Sequence, residues 1–147
     1  MQAILIPHRH FLWIHVGLPM LGGSMVYLLF RAYWDLSLLS FLPEGNSAAG
    51  AWLPHWVRFQ LPDGLWLYSA LRFQQWVWQG ASLRKCWGWF LLPIGLAFGS
   101  EGLQLMGWLR GTGDWGDMLW YLAAVLVGLG TYFPTSHKKL YPTHRST

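Results

Sequence analysis

A single cysteine, Cys86, occurs in 147 residues, which excludes an internal disulfide and a zinc site built on thiolates. Charge is nearly as scarce. Asp, Glu, Lys and Arg together make up 11% of the chain, against about 25% in ordinary soluble domains. The basic residues form no dense patch, which argues against nucleic acid as a partner. No internal repeat, low-complexity run or polar linker divides the sequence, so 1–147 reads as one domain. Nor does the sequence carry a nucleophile–base pair or a cluster of metal ligands.

What is present is apolar. Hydrophobic residues account for 54% of the chain and aromatic ones for 18%, including 12 Trp and 6 Tyr. Such a chain has too little polar surface to cover a soluble globule, and lipid is the solvent that suits it. Trp and Tyr rings collect at the two interfaces of a membrane. A spanning helix needs roughly 20 predominantly apolar residues, and 11–30, 86–106 and 116–133 meet that requirement. A fourth stretch, 61–80, is weaker because it contains Arg72, Gln74, Gln75 and Gln79. The expected fold is therefore all-α, a polytopic membrane protein with four transmembrane helices. Met1 to Arg9 lacks the order of a cleavable signal, so the first span is expected to be retained. Pro19 and Pro93 fall inside spans and predict kinks.

Orientation follows from the basic residues near the span ends. Arg9, Arg84, Lys85, Lys138, Lys139 and Arg145 fall on one side of a four-span layout, and Arg31, Arg58 and Arg110 on the other. The richer side is expected to be cytoplasmic and to hold both termini. The long outer connection between the first two spans carries Trp34, Leu36, Leu38, Leu39, Phe41 and Leu42, then Trp52, Trp56, Val57 and Phe59. Apolar segments of this length suit an interfacial path or a loop packed on the helix ends.

The most informative stretch is Ser100 to Tyr121. Glu101 lies inside the third span, and an ionisable group at such depth is a functional candidate. Gln104, at i+3, shares its helix face. Arg110 follows at the surface, and Asp114 and Asp117 open the fourth span. With Asp63 from the second span, these residues predict a polar rim on the outer face. Asp114 and Asp117 also fit a helix N-cap with a second acid, and Arg110 fits as their ion-pair partner. Arg72 has two placements, one beside Glu101 at the rim and one snorkelling toward the cytoplasmic interface beside Trp76 and Trp78. His15 is the one mid-span imidazole that a tetrapyrrole metal could use, although a hydrogen-bonded helix histidine explains it as well. No other cofactor is indicated. His8, His10, His137 and His144 fall near the cytoplasmic ends and His55 on the outer loop.

The run Glu101-x-x-Gln104, followed by Arg110-Gly111-Thr112-x-Asp114-Trp115-x-Asp117 and an apolar helix with Gly128 and Gly130, resembles the signature of VanZ-like membrane proteins. Leu61-Pro62-Asp63-Gly64-Leu65-Trp66-Leu67-Tyr68 resembles the start of the second span in some small members. The likeness covers Leu61 to Gly130. It implies a multi-pass protein of a bacterial-type cytoplasmic membrane and a membrane enzyme or resistance factor acting on a lipid or cell-envelope precursor. Gly64 and Leu67 stand where many members carry Lys and His, and Tyr121 where many carry Asn, so groups of any shared chemistry are missing. Two functions follow as expectations. One is a non-enzymatic integral subunit whose partners are membrane lipids and other membrane subunits. The other is an enzyme using Glu101 or Asp117 as acid or base and Arg110 as a phosphate clamp.

Overall fold

The computed structural model describes residues 8–30, 53–79 and 81–130. Every regular element among them is helical: α1 (His8–Leu12), a π-helical turn (Trp13–Gly17), α2 (Leu18–Phe30), α3 (His55–Phe59), α4 (Leu61–Val77), α5 (Leu83–Leu105) and α6 (Trp115–Gly130). The first three run on as one rod, so the described residues form five helical pieces. The apolar segment expected at 34–42, together with Lys138, Lys139, Arg145, His137 and His144, lies outside the described residues.

The helix boundaries have local causes. Pro62 and Asp63 occupy the first turn of α4, where a proline loses no intrahelical bond and an acid meets the positive end of the helix dipole. Just before Pro19, where a kink is expected, the rod makes a π turn, in which the Leu18 amide donates to the Trp13 carbonyl. In a strict α register the Pro19 ring would crowd the His15 carbonyl four residues back, and the wider turn relieves that crowding. α5 carries Pro93 inside its length. It ends in a Schellman motif: Trp108 N donates to Leu103 O and Gly107 N to Gln104 O. Gly107 takes the left-handed φ of 73° that this motif requires.

α4 is the central helix, packed by the rod, α3, α5 and α6. Contacts fix the helix directions. Gly64 meets Trp120 while Gly128 meets Leu71, so α4 and α6 run parallel. His15 meets Tyr68 and Gly23 meets Trp66, so the rod is antiparallel to α4. Phe98 packs edge-on to Tyr121 and Trp78 stacks on Trp89, so α5 is antiparallel to both. Close approach of α4 and α6 depends on the two glycines: a Cβ at Gly64 would lie 3.3 Å from Trp120 Cβ, and one at Gly128 3.2 Å from Leu71 Cδ1.

The apolar core consists of Leu67, Leu71, Cys86, Phe90, Tyr121 and Ala124. Ser69, Arg72, Gln75 and Glu101 are buried beside it, while Trp13, Leu21, Trp87, Leu92, Leu96, Leu119 and Leu126 are among the large apolar side chains that face outward. Among the described residues one helix, His10–Leu28, is long and apolar enough to cross a membrane (mean hydropathy 1.4), and Trp115–Gly130 is apolar but shorter. Four spans were expected. α4 is 17 residues long and Arg72, Gln74 and Gln75 lower its hydropathy, although two of these three side chains point into the bundle; α5 is long enough at 23 residues but not apolar enough.

Candidate functional site

The rim end of the bundle is where α5 turns back into α6. Asp114 stands immediately before α6, and its side chain caps the helix: Oδ1 accepts from the Gly116 amide at 2.9 Å. Its other carboxylate oxygen, Oδ2, accepts from Gln60 Nε2 at 3.0 Å, which ties α6 to the junction of α3 and α4. These two hydrogen bonds, the backbone one first, hold the Asp114 carboxyl below the usual aspartate range. The Asp114 backbone amide donates to Glu101 Oε1. In a capping box, an acid at the third helical position reaches back to that amide. Here Asp117 has that position, but Glu101 from α5 supplies the acceptor. Glu101 is 3% exposed, so its carboxylate is both enclosed and engaged.

The remaining rim residues fall into place around this network. Gln104 packs on the turn backbone, where a Cβ at Gly111 would lie 2.7 Å from Gln104 Cδ. Asp117 is half-buried in the first turn of α6, and its amide donates to Asp114 O at 3.1 Å. Asp63 is half-buried in the first turn of α4 and lines a cavity of about 240 Å³ between α4, α5 and α6 with Trp66, Leu67, Pro93 and Tyr121. Arg110 differs from the expected ion pair with Asp114 and Asp117: it is exposed on the turn, and among the described residues no ion pair engages it, while Asp114 accepts from the Gly116 amide and Gln60.

Arg72 is not a rim residue. Its guanidinium donates to Gln75 Oε1 at 2.7 Å and lies 4.7 Å from the centroid of Phe11, at the far end of the rod. Gln75 Nε2 in turn donates to Gly128 O at 2.6 Å. At 1.5 Å per residue Arg72 lies about 16 Å from the rim end of α4 and Glu101 about 6 Å from that of α5. The two are thus separated by about 10 Å along the bundle. Next to Arg72, the Tyr68 hydroxyl hydrogen-bonds His15 Nδ1 at 2.8 Å, and the His15 ring lies 4.9 Å from that of Phe11. His15 is thus a hydrogen-bonded helix histidine. Among the described residues no group of three or more His, Cys, Asp or Glu side chains could hold a metal.

Gln60 is the rim member that the sequence did not single out. Its signal was faint: a lone amide just before Leu61-Pro62, in a position where it joins the polar ends of three helices. Comparison with protein-family models, curated proteins and solved structures gives no match. The VanZ-like resemblance therefore rests on the residues quoted for it.

Proposed function

We propose that the chain is an integral membrane accessory or structural subunit. It crosses the bilayer four times, keeps both termini in the cytoplasm and uses its outer rim to dock a protein partner or a lipid headgroup. The observation that carries this reading is the inverted polarity of the bundle: Arg72, Gln75, Ser69 and Glu101 are buried, whereas Trp, Leu and Met side chains cover its outside. In water such an arrangement exposes apolar surface at roughly 25 cal/mol per Å²; in lipid it costs little, and buried polar groups hold membrane helices together. Support also comes from the alternating helix directions, which suit a four-span hairpin arrangement, and from the two parallel helices crossing at glycines.

A binding role is favoured over catalysis by the state of the rim acids. A general acid or base needs a carboxyl with an oxygen directed at substrate; Glu101 is enclosed with Oε1 on the Asp114 amide, and Asp117, the other acid the enzyme reading uses, is half-buried in the first turn of α6. On this reading the chain is a divergent VanZ-like protein that keeps the rim as a structural platform. The test is native mass spectrometry of the complex extracted into lipid nanodiscs. A stoichiometric membrane protein or a retained lipid supports the proposal. Release of the chain from membranes by alkaline carbonate would overturn its membrane part. Turnover of a lipid-linked precursor that Glu101→Gln abolishes at unchanged stability would overturn its non-enzymatic part.

A further inference from the structure

We infer that the α5–α6 turn binds the phosphate of an anionic phospholipid through Arg110, with Trp108 and Trp115 seated in the headgroup layer beside it. This deepens the proposed function and rests on its membrane reading. The first observation is exposure. Trp108 (78%), Trp115 (71%) and Met106 (68%) are the three most exposed of the large apolar side chains among the described residues, and Leu109 in the same turn is exposed as well. A turn joining two soluble helices normally hides such groups. A turn at a membrane surface presents them, because indole rings partition to the headgroup level.

The second observation is the direction of charge in the turn. Glu101 is enclosed and bound to the Asp114 amide, and both Asp114 carboxylate oxygens are occupied by Gly116 N and Gln60 Nε2. The rim acids that lie nearest the turn thus face the protein. Arg110 is exposed, and among the described residues no hydrogen bond or ion pair engages it. The surface offered outward is a single guanidinium framed by indole and aliphatic groups. A guanidinium pairs with phosphate through two parallel N–H bonds, and its neighbours place it at the depth where lipid phosphates lie. A protein partner would be expected to offer Arg110 a carboxylate and to cover both indoles, which is the competing outcome.

The experiment uses the full chain with Cys86→Ser and a fluorescent label on Thr112→Cys, in nanodiscs of phosphatidylcholine with increasing phosphatidylglycerol. The label should respond as phosphatidylglycerol is added. Arg110→Gln should weaken that response about fivefold, the factor that one cation contributes on an anionic surface. Arg110→Lys should recover part of it. Arg110 is exposed, so its substitution leaves the bundle folded; a thermal melt of each variant checks this. Flotation with phosphatidylcholine vesicles tests the membrane reading separately, because a chain that fails to float overturns that reading. A chain that floats and responds equally with and without Arg110 overturns the present inference alone. Two further outcomes also overturn it: inorganic phosphate in the buffer that abolishes the lipid response, which identifies a free-phosphate site, and a stoichiometric protein that masks the label in native membranes.

Discussion

The Glu101 carboxylate accepts the backbone N–H of Asp114, thirteen residues further along the chain and across the turn from α5 to α6. The acid thus fixes where α6 begins, and Asp114, so held, caps that helix and receives Gln60 from the start of α4. Three helix ends meet through two carboxylates, one backbone amide and one carboxamide.

Glu101→Ala should therefore loosen the rim. A buried hydrogen bond to a charged group contributes about 1.5–3 kcal/mol, and the variant also leaves the Asp114 amide without its acceptor. Glu101→Gln keeps an acceptor oxygen and should lose less than Glu101→Ala. Thermal unfolding in detergent, followed by circular dichroism, checks the order; equal stability of all three proteins would refute the tie.

Asp114 gives the rim a dependence on acid. Its folded carboxyl is held below the usual aspartate value of about 3.9 by the Gly116 amide and Gln60. A group whose folded pKa is depressed binds fewer protons folded than unfolded, so its stabilisation is full above the unfolded value and is lost as pH falls through the folded one. The melting temperature should thus fall as pH drops below about 4, and Asp114→Asn should flatten that part of the profile. A profile unchanged by the substitution would assign the acid sensitivity to another group.

The sequence shows the helices more clearly than their partners. The apolar stretches begin close to where α4, α5 and α6 begin, and Pro62 and Asp114 mark the first and last of those positions. The 61–80 stretch looks least like a span because Arg72 and Gln75 interrupt it, yet these side chains lie inside the bundle and make α4 its centre. Hydropathy averages a helix over all its faces and cannot show which one is enclosed. Glu101 is legible as an unusual acid, but its partner is a backbone amide, a group that every residue except proline carries. Sequence position leaves Arg72 with two placements, because it does not reveal that Phe11, from a separate rod, covers the guanidinium.

His15 and Tyr68 pin the N-terminal rod to α4 through a bond of 2.8 Å. Tyr68→Phe removes the hydroxyl and should cost about 1 kcal/mol. His15→Phe should cost a similar amount, and the double variant should lose little more than either single one, because both delete the same bond. A double-mutant cycle in detergent measures the coupling; fully additive losses would mean that the bond contributes nothing to docking of the rod.

Gly128 sets the spacing of the parallel helices. A Cβ there would lie 3.2 Å from Leu71, and the Gly128 carbonyl receives Gln75 at 2.6 Å. Gly128→Leu should push α6 away from α4, disrupt that bond and cost about 1–3 kcal/mol through overpacking. Gly130→Leu serves as the comparison, because a Cβ at Gly130 meets nothing within 4 Å. Comparable melting temperatures for the two variants would contradict the close α4–α6 contact.

Among the described residues Arg72 and Glu101 are the two buried ones with opposite charge, and a pairing between them would be natural in a membrane bundle. Their surroundings argue for independence. Arg72 bonds Gln75 and lies over Phe11, whereas Glu101 binds the Asp114 amide at the opposite end, about 10 Å away by helical rise. Sites that far apart without a shared partner add to within about 0.5 kcal/mol. Arg72→Met should destabilise by removing the bond to Gln75 and the contact with Phe11, and Glu101→Gln by weakening the rim. The double variant should lose the sum. If the double variant instead recovers stability relative to the singles, each charge must stabilise the other, and the separation of rim and interior clusters described above would have to be abandoned.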